Sequence, residues 1–402
     1  MKTTFLHATS RSEQAILVWG LVALVTLLAI PGSVAGAGPA DGAAPATVAS
    51  LATAASPTTG VQAQTMRQYQ FDMVDNQVAL VMKEVDRPVP GANEVLVRVR
   101  ATSLNRRDLS ILQSQYGGGN PRTGLVPLSD GAGEVIGVGP GVTRFEVGDR
   151  VAGIFFARWM DGRPSALTNA SARGGGIDGM LSEMIVSHED GLVEIPEHLS
   201  FEEAATLPCA GVTAWNALFK HGGLAENDFV LLEGTGGVSI FGLQFSVAAG
   251  ARPIITSSRD EKLVRARELG AYGTVNYRTN AEWQDEVRAI TGGAGVTHVL
   301  EVGGRETLPR AMRALGYGAH IAIIGGLSGF AANMPLGSFV GRGTSVTGIY
   351  VGSREDFVAM NAFITEHRLR PVIDRVFTLE DAAAAYEHMA SGNHLGKIVI
   401  AL

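Results

Sequence analysis

Between Met66 and about His188 the chain alternates apolar and polar positions in short runs. Val78-Ala79-Leu80-Val81 and Glu94-Val95-Leu96-Val97-Arg98-Val99-Arg100 follow the two-residue period of half-buried strands. Gly131-Ala132-Gly133-Glu134-Val135-Ile136-Gly137-Val138-Gly139 is a strand interrupted by glycines, as barrel corners and bulges require. Gly148-Asp149-Arg150-Val151-Ala152 is a turn running into another strand. The pattern predicts a β-barrel-like domain over residues 66–190. From Ser200 the period lengthens. Ser200-Phe201-Glu202-Glu203 opens a helix, with Ser200 as N-cap and Glu203 completing a capping box. Apolar strands at 229–232, 253–256, 274–276, 298–301 and 320–324 then alternate with helical segments at 261–269, 281–291 and 307–315. Such alternation implies a parallel sheet covered by helices on both faces, placed here in residues 191–335. The tail, residues 336–402, has a strand-like run at 345–351, helical runs at 355–366 and 379–391, and a closing strand at 397–401. It is expected to complete the parallel sheet and return to the first domain.

One strand-to-helix junction is built differently from the others. In Leu231-Leu232-Glu233-Gly234-Thr235-Gly236-Gly237-Val238-Ser239 an apolar strand ends in a glycine-rich turn, and a mostly apolar helix follows to Ala249. A second strand ends about twenty residues on, at Thr256-Ser257-Ser258-Arg259. This is a βαβ unit whose turn suits a pyrophosphate. Gly234 permits the tight turn, Gly236 lets backbone N–H groups approach phosphate, and the helix N-terminus adds partial positive charge. Gly237 and Val238 complete the phosphate-facing backbone. The third small position is Ser239 rather than glycine. At the end of the second strand an acidic residue would favour NAD by bonding the ribose hydroxyls. Here Ser258, Arg259 and Lys262 offer groups for a 2′-phosphate, with Asp260 as the competing feature, so NADP(H) is favoured over NAD(H). Lys397 is a further phosphate candidate, set against a plain surface position.

Composition narrows the setting. The 402 residues are 46% hydrophobic and 18% charged, enough for two domains and a large core. Net charge is −7 with no basic cluster, which disfavours nucleic acid as a partner. The single cysteine, Cys209, rules out both a disulfide framework within one chain and a multi-cysteine metal site. Lys2 and Arg11 precede an apolar stretch from Ala15 to Ile30, and residues 32–64 are rich in Ala, Gly, Pro, Ser and Thr. Residues 1–65 thus read as a signal-like apolar segment and a disordered linker. Three readings stand: an export or membrane-anchoring sequence, an extension upstream of a start at Met66, and a buried core helix. A membrane is a partner only through this segment. A dissociable nicotinamide cofactor is recycled in the cytosol, which favours cytoplasmic work from Met66.

Five motifs in order carry a family resemblance: Gly131-Ala132-Gly133-Glu134-Val135, Val147-Gly148-Asp149-Arg150-Val151, Leu207-Pro208-Cys209-Ala210-Gly211-Val212-Thr213-Ala214-Trp215, Gly234 to Ser239, and Gly396-Lys397-Ile398-Val399. The chain resembles the medium-chain dehydrogenase/reductase superfamily, in its zinc-independent alcohol dehydrogenase-like and quinone oxidoreductase-like branch. The resemblance implies an α/β fold: a GroES-like β-barrel catalytic domain plus a Rossmann doubly wound parallel sheet, with a cleft between them. Zinc-dependent members carry Cys at the position of Asn105, His-Glu at Ser129-Asp130, and a third ligand, often Cys, at Cys209. A catalytic zinc needs about three protein ligands, and Asn and Ser supply neither thiolate nor imidazole. No zinc is therefore expected, and Cys209 is expected to be a buried apolar residue.

Without a Lewis acid, an alkoxide has no stabiliser. Quinones and α,β-unsaturated or activated carbonyls remain suitable acceptors of hydride, because hydrogen-bond donors stabilise the charge that develops on oxygen. By resemblance, Asn105 at the lost ligand position is a candidate donor, and Tyr116 lines the cleft. Thr213, Gly325 and Gly326 lie on the nicotinamide side. Asp108 reads as a helix-capping residue rather than a base, Arg106 and Arg107 as solvated charge or as steering groups for an anionic substrate, and the loop Ala157 to Gly176 as either a lip over the pocket or a surface insertion. Two other readings stand: an alcohol dehydrogenase of small alcohols and aldehydes, and a non-catalytic dinucleotide-binding scaffold. Residues 345–351 resemble the family's dimer-forming edge strand, which implies a homodimer.

Overall fold

The computed structural model describes residues 65–116, 119–332, 334 and 336–402. The apolar stretch from Ala15 to Ile30 and the linker after it lie outside the described residues. Among those described, no helix is long and apolar enough to cross a membrane.

The alternating front of the chain forms β1 (Thr65–Val74), β2 (Gln77–Asp86), β3 (Glu94–Leu104), β4 (Asp130–Val138), β5 (Arg150–Gly153), β6 (Met184–His188) and β7 (Leu192–Glu194). β1 and β2 make a hairpin, while β3, β4, β5 and β7 are neighbours in a second sheet, with β6 also on β3. The glycines of β4 have a steric reason. A Cβ on Gly133 would lie 2.1 Å from the Arg98 carbonyl oxygen of β3, so only glycine lets the two strands cross there.

The parallel sheet consists of β8 (Phe229–Leu232), β9 (Arg252–Ser257), β10 (Gly273–Asn276), β11 (Val296–Glu301), β12 (Leu315–Ile323) and β13 (Ser345–Gly348). Their order is β10-β9-β8-β11-β12-β13, every pair parallel. This is the doubly wound arrangement, in which the strand order reverses between β8 and β11 and opens a crevice at the strands' C-terminal ends. Leu231, Leu232, Ile254, Ile255, Val299, Leu300 and Ile321 are fully buried, so these strands are apolar on both faces. The helix Gly237–Ala248 passes closest to the sheet at Gly242, where a Cβ would come within 2.8 Å of Leu232 and Leu300.

The last strands of the chain lie beside the front sheet. β14 (Ile373–Thr378) and β15 (Lys397–Ala401) pair in parallel, and β15 lies antiparallel to β3. The periodicity gave no sign of β14, whose Ile373-Asp374-Arg375-Val376 is largely exposed at the sheet edge. β12 begins at Leu315, where a helix end was expected.

Candidate active site

The glycine turn has the geometry of an anion cradle. Gly234 sits at φ +71°, in the left-handed region open to glycine. Gly236 is the N-cap of the helix and offers no side chain to its first N–H groups, which remain for a ligand. A Cβ on Gly236 would meet nothing within 4 Å, whereas one on Gly237 would lie 2.7 Å from the Lys397 side chain. The first glycine thus faces open space and the second faces protein. Ser239, at the usual third glycine, is buried and donates its hydroxyl to the Glu233 carbonyl at 2.7 Å. It pins the first helical turn to the end of β8, while Gly242 provides the close packing.

Two carboxyls that the sequence did not flag support this crevice from behind. Glu233 and Glu301, at the ends of β8 and β11, are both buried. Glu301 Oε1 accepts from the N–H groups of Gly303 at 2.8 Å and Gly304 at 2.7 Å, and from the Thr307 hydroxyl at 2.6 Å. Glu233 Oε2 faces the N–H of Val302 at 3.3 Å. Burial, then the charge of Glu301, push the Glu233 carboxyl well above the usual range. Through these contacts the two carboxyls hold the loop after β11 in place. Gly325, whose N–H donates to the Glu301 carbonyl at 3.2 Å, and Gly326 continue from β12 beside that loop.

At the end of β9 the phosphate candidates are already engaged in part. Arg259 is exposed and donates to the Asn393 side chain, with Glu261 3.7 Å away. Lys262 donates to the carbonyls of Gly392 at 2.9 Å and His394 at 2.8 Å. Ser258 is half-buried. Asp260 accepts from Asn276 of β10 at 2.7 Å, so the competing acidic group is turned toward its neighbouring strand.

Lys397 requires a correction. It is neither at the surface nor grouped with Arg259 and Lys262. Its side chain is 3% exposed, and its stem runs past Gly237 into the front domain. There the ammonium donates to the Leu104 carbonyl at 2.7 Å and to Asn105 Oδ1 at 2.6 Å, with Asp130 Oδ2 at 3.4 Å. Asn105 itself precedes the helix Arg106–Leu112, and its backbone N–H donates to Asp108 Oδ2 at 2.7 Å. Asp108 thus caps that helix, as its position suggested. Burial raises its carboxyl to about 6, against the pull of Arg107.

Arg107 is a second correction. Its side chain is 9% exposed rather than solvated. The guanidinium lies 4.6 Å over the Phe155 ring and 5.2 Å over Tyr116, and donates to the Arg173 carbonyl at 2.9 Å. Its position was hidden because two of its partners, Phe155 and Arg173, come from much later in the chain. Tyr116 is half-exposed beside it. The loop at 157–176 is folded onto an aromatic wall: Phe156 packs on Tyr350 at 4.6 Å and on Trp159 at 5.7 Å, and Tyr350 bonds the Asn169 side chain. Cys209 packs against this wall, and burial, then Asp130, push its thiol up. Cys209 and the buried Thr213 share a helical stretch that begins as a π turn, Leu207–Gly211, a local widening common near functional sites.

These residues do not suit zinc. Asn105 and Ser129 offer no thiolate or imidazole, and Asp130 faces an ammonium. Among the described residues no cluster of three His, Cys, Asp or Glu can hold a metal ion.

Known proteins agree with this architecture. Residues 91–197 match the alcohol dehydrogenase GroES-like domain and residues 237–366 the zinc-binding dehydrogenase model. A zinc-type alcohol dehydrogenase-like protein of Schizosaccharomyces pombe is 43% identical over 76% of this chain and 90% of its own length. Quinone oxidoreductase-like protein 2 of Bos taurus is 28% identical over 80% of this chain and 89% of its own. A crystal structure described as a "putative Alcohol dehydrogenase" from Sinorhizobium meliloti 1021 has a TM-score of 0.79 at 38% identity, covering 84% of this chain and 99% of that one. With a barrel and a doubly wound sheet in this order, and a relative of that identity over most of its length, the chain belongs to the medium-chain dehydrogenase/reductase superfamily of oxidoreductases.

Proposed function

We propose that the chain is a zinc-independent, NADPH-dependent reductase of quinones or of α,β-unsaturated and otherwise activated carbonyls. The observation that carries this reading is the set of groups at the family's metal-ligand positions: an amide at Asn105 and a hydroxyl at Ser129, beside a buried ammonium. The turn Gly234–Val238 would hold the pyrophosphate, Thr213, Gly325 and Gly326 would flank the nicotinamide, and Ser258 and Arg259 would meet the 2′-phosphate, with Lys262 behind them. The bound nicotinamide supplies the hydride. Asn105 would donate its uncommitted amide N–H to the acceptor oxygen as negative charge develops there, a contribution of about 3–4 kcal/mol for one well-placed donor. Tyr350 and Tyr116, both exposed beside the buried Phe155-Phe156-Trp159 cluster, are the aromatic rings a conjugated acceptor would meet.

The relative described as quinone oxidoreductase-like fits this reading. An alcohol dehydrogenase reading draws on the names of other relatives and requires bound zinc. A panel of quinones, enones, aldehydes and alcohols, run with NADPH and NADH and joined to metal analysis of the purified protein, separates the readings. The expected result is quinone or enone reduction with NADPH and substoichiometric zinc. Stoichiometric zinc with alcohol oxidation overturns it, and cofactor binding without any turnover points to a scaffold.

We further infer a homodimer through β13. This strand ends the sheet, and Val346 on it and Leu336 and Val340 on the adjacent helix Leu336–Arg342 are exposed. An uncovered β-branched edge favours pairing. Light scattering on Val346→Lys is expected to show monomers where the native chain shows dimers.

A further inference from the structure

The residues at the front domain's would-be ligand positions are connected by a lysine from the far end of the chain. Lys397 lies 292 positions after Asn105 in sequence, yet its ammonium touches that amide at 2.6 Å. The three ammonium hydrogens have three acceptors: the Leu104 carbonyl, Asn105 Oδ1 and Asp130 Oδ2. Asp130 Oδ1 accepts from the Ser129 hydroxyl at 2.8 Å, so the Ser129 oxygen is left to accept from Asn105 Nδ2, a long contact of 3.5 Å. The bonds close a ring with a fixed direction. Lysine donates to the amide oxygen and to the aspartate, serine donates to the aspartate, and the amide nitrogen donates to the serine.

We propose that Lys397 is a positioning residue: by holding Asn105 Oδ1 it turns the amide nitrogen outward as the donor, and its charge occupies the electrostatic place of the metal in this site. The inference rests on the reading of Asn105 as donor to the acceptor oxygen. The two ends of an amide differ little in shape, so only its partners decide which end faces the pocket. An ammonium cannot accept a hydrogen bond, so with Lys397 in place the nitrogen cannot point inward. Without it the amide can flip and present a carbonyl oxygen to an oxygen that is gaining charge.

Steady-state kinetics of the full chain with NADPH and a simple quinone test this. Lys397→Met should lower kcat by roughly 10- to 100-fold, while the quinone KM, and the Kd of NADPH read by its fluorescence, change less than about threefold. Lys397→Arg should recover part of that loss. The double variant Lys397→Met/Asn105→Leu should be no slower than Asn105→Leu alone, because both changes remove one interaction. Unchanged kcat, additive losses, or NADPH binding lost in proportion to kcat would overturn the proposal. Should Lys397→Met not fold, Lys397→Leu replaces it, with the same kinetic criteria. If the native chain reduces no quinone or enone, the functional reading fails by itself. The ring is then judged by the Asn105 side-chain amide resonances, single in the native protein and doubled in the lysine variant; single resonances in both would overturn it.

Discussion

The glycine turn and the lysine ring are neighbours, joined where the Lys397 stem passes Gly237, but they are made from different materials. The turn is backbone. Its working parts are a positive φ at Gly234, a missing Cβ at Gly236 and helix N–H groups, all within a few consecutive residues. The ring is side chain, assembled from residues 105, 129–130 and 397. A backbone device is written as spacing. A side-chain device depends on which distant segments the fold brings together, and on burial strong enough to keep charges paired.

The comparison is most sharply broken at Asn105. Asn105→Leu should lower kcat by about 10²–10³-fold, the usual cost of one donor to a developing oxyanion, with NADPH binding intact; stopped-flow and equilibrium titration measure the two separately. Next come the adjacent glycines. Gly236→Val has open space and an extended backbone, φ −77° and ψ 177°, so its melting temperature should hold. Its NADPH affinity should fall on the order of 100-fold, the cost of misplacing a bound group by about an ångström. Gly237→Ala pushes against Lys397 instead, and its loss should fall on kcat as well as on melting temperature. Equal effects on binding at both glycines would dissolve the distinction between turn and ring.

Arg259→Ala sharpens the turn side alone. It should reduce the preference for NADPH over NADH by roughly tenfold, the loss of one charge-assisted hydrogen bond, read as a ratio of kcat/KM values. The smallest effect is on the ring side. The Asp108 carboxyl titrates near 6 in the native chain, above its unfolded value of about 3.9. The native state therefore holds that proton more tightly, and this group's contribution to stability falls as pH rises between those two values. Urea midpoints of Asp108→Asn and the native chain, compared across pH 4 to 7, should show a flatter profile for the variant; parallel profiles would assign the raised value to another group.

Much of the fold was legible because its signals are local. The capping box at Ser200 and Glu203 is present, with bonds of 3.2 and 2.8 Å, and strand 229–232 falls where the apolar run put it. What escaped is long-range. Arg107 sits in a charged pair of residues that looks solvated, yet it is held by Phe155 and Arg173. Lys397 looks like the polar start of a strand, and no nearby residue announces Leu104 as its acceptor. In the sequence Glu233 looks like part of a turn, and its partner Glu301 like the end of another strand. Only the sheet order, which sets β8 beside β11, makes them a pair. Tyr350 was assigned to an edge strand, whereas β13 ends at Gly348 and the tyrosine packs on Phe156 instead.

The bridge between Gly236 and Gly396 ties the glycine turn to the last strand of the chain. β3 is made early and acquires its neighbour β15 only after nearly three hundred further residues. One short segment at the end of the chain therefore touches both the glycine turn and the Asn105 amide.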